Sequence, residues 1–307
     1  MQTAVKRPYP RRGYNIRLIR KNWDLYMMIL PFLLAFCAFT VVPVMSSVVL
    51  SLTDFNLIQA PGFVGFNNYI RLFLEDSVFI KSLTNTFVFA LATGPLSYFL
   101  SLFLAWFIND MGKRARMTFT FLFYLPSLSA AMFSIWGLLF SGDIYGWVNG
   151  VLINMGAIHE PIAWLKDPRY IMGVVMLVQV WMSMGAGFLA FVAGLQSIDR
   201  TLYECGAIDG IRNRWQEFYH ITLPSMGPQL LFGAVMQISA SFAAGYICIA
   251  LAGNPSTDYV ANTIVTHLID YGTVRYEMGY ASAIATVLFV IMVFINTVIR
   301  RILRNSI

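Results

Sequence analysis

The 307-residue chain is 58% hydrophobic and 15% aromatic, carries only 12% charged residues, and has a net charge of +6. Soluble domains usually carry about 25% charged residues, so this balance excludes an ordinary water-soluble domain and points to a membrane protein. Three cysteines (Cys37, Cys205, Cys248) without paired spacing and three isolated histidines (His159, His220, His267) offer neither a disulfide framework nor metal-ligand spacing.

A basic tail, residues 1–24, opens the chain. Six windows without Asp, Glu, Lys or Arg follow: Leu25 to Leu52, Ser82 to Asn109, Met117 to Gly142, Tyr170 to Ile198, Ile221 to Thr257 and Met278 to Ile299. At about 1.5 Å per residue even the shortest reaches about 33 Å, enough for a hydrocarbon core of about 30 Å. The fifth is too long for one crossing, so part of it is expected at the interface or lining a cavity. The first is too long for a cleaved signal peptide and lacks a small-residue cleavage site, so it reads as a retained helix. Membrane β-strands are shorter and alternate. The expected class is therefore all-α, a polytopic protein of six transmembrane helices over residues 25–299, with a tail at 300–307.

Of the 21 basic residues, 16 fall in the N-terminal tail, the second and fourth gaps and the C-terminal tail. By the positive-inside rule these segments, and both termini, face the cytoplasm. The net positive charge then needs no nucleic-acid partner. On the outer side, "NNYIRLF" (67–73) and "GWVNGVLINMGAI" (146–158) are amphipathic and suited to capping the bundle or lying on the bilayer; lipid is the surrounding partner. Small residues recur every four positions at Ala186, Ala190 and Gly194 and at Ala240, Ala244, Cys248 and Ala252, for packing within the subunit or against a second one. Prolines 31, 43, 95 and 126 mark bends, and Gly94-Pro95 is the expected kink or break.

The spans hold no carboxylate or histidine to relay protons, which disfavours proton coupling, while sodium on unwound carbonyls stays open. The P-loop pattern is absent, since Gly112-Lys113 is followed by Arg114. Energy would come from another chain pressing on a rigid cytoplasmic element. Residues 199–224 supply one: Asp199 is placed to cap a helix through Tyr203 and Glu204, Gly210 to end it, and Asn213 to cap a second helix stopping before Pro224. Cys205, Gly206 and Ala207 leave room for close approach, while Trp215, Phe218 and Tyr219 would anchor the second helix on the bundle. A DNA-reading helix pair is disfavoured, because the Asp199–His220 loop carries four acidic residues against three basic ones.

The same block, "LYECGAIDGIRNRWQEFYHITLP" (202–224), resembles the cytoplasmic loop of permease subunits in binding-protein-dependent ABC importers, E-A-A-x3-G-x9-I-x-L-P. Glu204, Gly210, Ile221, Leu223 and Pro224 match, and Asp209 is a common variant. Cys205 and Gly206 replace the alanines, and ten residues replace nine between Gly210 and Ile221. "FVGFNNYIRLF", "FVAGLQSIDRTLYE" and "PIAWLKDPRY" resemble the maltose-type, carbohydrate-importer branch.

The resemblance implies a type I importer permease in a prokaryotic cytoplasmic membrane. It also implies a second homologous permease, two ATPase subunits that bind ATP and Mg, and an extracellular solute-binding protein. The chain itself would hold no catalytic, cofactor or metal residues. Tyr203, Glu204, Cys205, Gly206, Ala207, Asp209, Gly210 and Pro224 would form the ATPase-coupling segment. For a sugar path, amides, hydroxyls and aromatic faces within spans nominate Asn85, Tyr98, Gln179, Trp181, Gln237, Ser241 and Tyr246. Each polar one could equally make an interhelical hydrogen bond. Another solute class, or an ion-coupled secondary carrier, is the alternative reading.

Overall fold

In lipid every backbone N–H and C=O must be paired within the protein, so long apolar runs fold as helices. The computed structural model describes residues 21–129 and 132–306, with side chains up to 303, and it is built of helices. Lys6, Arg7, Arg11, Arg12, Arg17, Arg20 and the Arg304 side chain, all part of the orientation reading, lie outside the described residues, as does Ile307.

Among the described residues four helices are long and apolar enough to cross a membrane: α1 (Trp23–Leu50), α3 (Ser77–Asn109), α7 (Ile171–Ser197) and α13 (Met278–Ser306). Two further crossings are bent pairs. α4 (Lys113–Leu128) and α5 (Met132–Leu139) lie at 87°, and α10 (Gly227–Phe242) and α11 (Tyr246–Ala252) at 44°. Counting each pair as one span gives six. Shorter helices include α2 (Asn67–Ile70), α6 (Trp147–Asn154), α8 (Arg200–Ile208), α9 (Arg214–Glu217) and α12 (Ile264–Ile269).

The breaks are not where Gly94-Pro95 suggested. α3 runs unbroken through Pro95, whose ring lies on an exposed face. The neighbouring Gly94 is buried, and a Cβ there would sit 3.5 Å from Ile238, so this pair lets α10 pack close rather than ending a helix. α7 opens instead at Ser183–Gly185, and the fifth run at Ala243–Gly245. Both openings free carbonyls that side chains then satisfy. Gln237 Nε2 donates to Ser183 O at 3.0 Å, and Thr263 Oγ1 donates to Ala244 O at 2.8 Å. An unpaired group at that depth would cost several kcal/mol.

The central packing unit is α3, α7 and α10. Lipid tails are as apolar as leucine, so the gain here is close van der Waals contact rather than dehydration. Phe188 and Phe191 are fully buried, and Phe191 presses so close to Gly233 that a Cβ there would come within 2.2 Å of the ring. Of the Ala186, Ala190 and Gly194 ribbon, only Gly194 is buried, against Gln229 and Met226 within the same chain. α13 packs on α10, and α1 lies against α13 with no fully buried side chain.

Residues 67–75 do cap one end of the bundle. Asn68 Nδ2 donates to Ser51 O and Thr53 O, Arg71 pairs with Glu277 at 2.6 Å, and Leu72 is fully buried. Asn149 of α6 closes the 141–164 loop by donating to three carbonyls and accepting from Ile162 N and Trp164 Nε1. Phe73 and Trp147 stay largely exposed.

Candidate functional site

Residues 199–224 form two short helices meeting at a glycine. Asp199 caps α8 by accepting from Thr201 N–H, and that backbone hydrogen bond holds the Asp199 carboxyl below its usual pKa, so the cap stays ionised. At the other end Gly210 has φ +96, Gly210 N–H reaches Ala207 O and Ile211 N–H reaches Gly206 O. This is the Schellman arrangement, which returns the chain sharply and pairs the last carbonyls. Asn213 then accepts from Gln216 N–H and starts α9.

Gly206 is the only buried residue of α8. A Cβ there would stand 2.6 Å from Ile221 Cδ1 and 3.1 Å from Ile211 Cδ1. The close approach that the small residues permit at 206 is therefore made by the segment's own second arm, while Cys205 and Ala207 stay exposed. The Tyr203 hydroxyl, 3.0 Å from Thr222 Oγ1, ties the arms a second time.

The second arm does not stop before Pro224. α9 widens into a π turn, Phe218–Thr222, in which Leu223 N–H reaches back to Phe218 O, and helix resumes over Leu223–Ser225. Pro224 falls in that new first turn, where a missing N–H costs least. A π turn holds one residue more than an α turn, which is the excess found between Gly210 and Ile221. Trp215 and Phe218 pack at a tilt against Trp106 of α3 at centroid distances of 5.0 and 4.9 Å, and Phe103 joins them. Arg214 pairs with Asp110 and lies 5.2 Å above the Trp106 ring. Tyr219, expected among these anchors, points away and is exposed beside His220.

What remains outward is one face of α8: Leu202, Glu204, Cys205, Asp209, and Ile208 at 86% exposure. Glu204 reaches only Arg200, one turn back, at 3.7 Å.

Of the proposed path residues, the structure gathers Gln179 and Gln237 around a cavity of about 270 Å³ at the helix openings, with Ser127, Phe133, Ser183 and Met236. Gln237 is 2% exposed and holds Ser101 Oγ and Ser183 O through Nε2, with Ser241 bonded to its carbonyl. The Gln179 side-chain amide has no hydrogen-bond partner among the described residues. No charged residue lines this cavity. The others lie elsewhere. Asn85 is committed to the Tyr259 and Asn262 carbonyls, and Tyr98 packs on Phe191. Trp181 packs on Trp136, and Tyr246 is largely exposed. Ser127 and Ser183 were not nominated from sequence, although a serine two positions before a glycine, as in Ser183-Met184-Gly185, is the available mark of an opened helix.

Residues 97–307 match the family described as "Binding-protein-dependent transport system inner membrane component". The chain belongs to that family: it is a multi-pass inner-membrane permease subunit of an ABC transport system and not itself an enzyme. It is 36% identical over 290 residues to the probable ABC transporter permease protein YesP of Bacillus subtilis, covering 92% of this chain and 91% of that one. It is 28% identical to the arabinooligosaccharides transport system permease protein AraP of the same organism, covering 97% and 95%. Among solved structures it is similar to a bacterial alginate ABC transporter in complex with an alginate pentasaccharide-bound periplasmic protein. There the TM-score is 0.74 and the identity 25%, over 94% of this chain and 97% of that one.

Proposed function

We propose that this chain forms half of the membrane path of an ATP-driven importer for a sugar or oligosaccharide. A second homologous permease supplies the other half. Two cytoplasmic ATPase subunits, which bind ATP and Mg, drive it through residues 199–224, and an extracellular binding protein delivers solute. Both termini face the cytoplasm. Similarity to an arabinooligosaccharide permease and to an alginate transporter supports a carbohydrate cargo. An amide-lined, uncharged cavity at opened helices agrees with it, since opened helices at mid-span are where membrane transporters hold solute. At about 270 Å³ the cavity is smaller than the roughly 300–1,000 Å³ usual for small-molecule sites, as expected if a facing permease completes it.

The observation that carries the coupling role is the build of the elbow. One arm is fixed to α3 by Arg214, Trp215 and Phe218, the arms are locked at Gly206, and α8 offers an apolar residue, Ile208, to water. A partner that pushes α8 therefore pushes α3, which packs against α7 and α10. Glu204→Lys and Gly210→Pro in the reconstituted transporter test this. Uptake per ATP hydrolysed is expected to fall at least tenfold with the protein still inserted, and normal uptake in both would refute the role.

A further inference from the structure

We infer that the solute leaves the Gln179–Gln237 cavity along the cleft between α4 and α7, which opens at Lys113 and Arg116 beside the coupling segment. The inference rests on the transport reading above and adds a route to it. The cleft has a volume of about 600 Å³. Tyr124 and Leu189 line its inner end, and one helical turn further along the same two helices Ser127 and Ala186 line the first cavity. The two helices meet there, since a Cβ on Gly185 would lie 3.7 Å from Ser127 Cβ.

Along α4 the polar residues Arg116, Thr120, Tyr124 and Ser127 follow at intervals of four, four and three, which places them on one helical face. At about 1.5 Å per residue the stripe is about 16 Å long, half the hydrocarbon core. Gln196 of α7 faces the same cleft. Thr118, off the stripe, donates to Arg114 O as membrane threonines commonly do. The Thr120 hydroxyl, the Tyr124 hydroxyl and the Gln196 amide have no hydrogen-bond partner among the described residues, and Arg116, which donates from Nη2 to Met111 O, keeps a buried Nε without one. In hydrocarbon such groups are costly. Against a hydroxyl-rich solute each finds a donor or acceptor in turn, and Phe121 and Tyr124 add aromatic surface to the lining. No carboxylate lines either space, and the two cations, Lys113 and Arg116, stand at the mouth, so the inner stretch of the cleft suits a saccharide moving from hydroxyl to hydroxyl. The mouth is at the coupling end, because α4 starts three residues after Asp110, the partner of Arg214. Motion of the elbow therefore reaches this opening first.

The test introduces Thr120→Cys, Tyr124→Cys or Leu122→Cys singly into the complete transporter in liposomes, and follows modification by a membrane-impermeant sulfonated methanethiosulfonate at that residue by mass spectrometry. Leu122 is the control, being exposed on the opposite side of α4. Positions 120 and 124 should react at least tenfold faster than 122, and saturating neutral sugar delivered by the binding protein should slow position 120 several-fold. Position 120 reacting no faster than 122, in a transporter that still performs ATP-linked sugar uptake, would overturn the route and leave the transport reading standing. Labelling at 120 in a complete complex that moves no sugar would overturn the transport reading itself.

Discussion

Arg214, on the second arm of the 199–224 elbow, pairs with Asp110 at the end of α3 while its guanidinium lies 5.2 Å above the Trp106 ring. One side chain thus joins the elbow to the most extensively packed helix of the bundle through both charge and aromatic contact. The ion pair is half-exposed and worth roughly 0.2–1 kcal/mol, and the cation–π contact about 0.5–1 kcal/mol. Arg214→Ala should therefore lower stability by about 1–2 kcal/mol and lower the uptake-to-ATPase ratio several-fold. The exchanged pair Asp110→Arg with Arg214→Asp should recover part of the ratio. A ratio unchanged in Arg214→Ala would mean that force enters the bundle elsewhere.

The lock between the arms makes a graded prediction at Gly206. Ala should be tolerated at about 1 kcal/mol or less, because the atom it meets, Ile221 Cδ1, is the mobile tip of a side chain. Leu should not, since the arms would have to separate, and Gly206→Leu should lose coupling while Gly206→Ala retains it. At Gly210 the cost has a different origin. With φ +96, Gly210→Ala carries a backbone penalty of about 1–2 kcal/mol despite open space around it. Thermal unfolding of the three variants in detergent distinguishes crowding from backbone strain.

At the opposite end Asp76 caps α3 and accepts from His267 Nε2 and the Tyr280 hydroxyl, each at 2.8 Å, and from Phe79 N–H. Burial alone would raise its pKa, but these three hydrogen bonds outweigh it and hold Asp76 at about 2. A folded-state pKa below the unfolded value contributes stability above the unfolded pKa, and that contribution is lost as pH falls through the folded one. The window is therefore about pH 4 down to about 2, and the contribution up to about 2 kcal/mol. Asp76→Asn should unfold at lower temperature than the parent at pH 6, with the difference shrinking below pH 4. A constant difference across that range would argue against ionised Asp76 as the anchor.

The spans were legible because charge is a one-residue signal: a single Lys or Asp in mid-helix would have been visible, and none occurs. The caps at Asp199 and Asn213 and the turn at Gly210 were legible for a similar local reason, as each depends on neighbours within four residues. The openings were not. Pro95 carries the stronger local sign of a break, yet helix runs through it, whereas the opened helices at Ser183 and Ala244 depend on Gln237 and Thr263, 54 and 19 residues away. Asn85 and Gln237 looked equivalent as amides in apolar runs. Only the fold shows that Asn85 serves loop carbonyls while Gln237 sits at the cavity. The Asp76 anchor joins residues 191 and 204 positions apart, beyond any pattern read along the chain.

In the proposed function an ATP-hydrolysing neighbour grips the 199–224 elbow. Replacing Ile208, the most exposed apolar residue of α8, by a photoreactive benzophenone amino acid and irradiating the intact complex in the membrane tests this directly. A covalent product with the ATPase subunit, whose yield changes when ATP is bound, is the predicted result. Products with lipid or the solute-binding protein alone would contradict it.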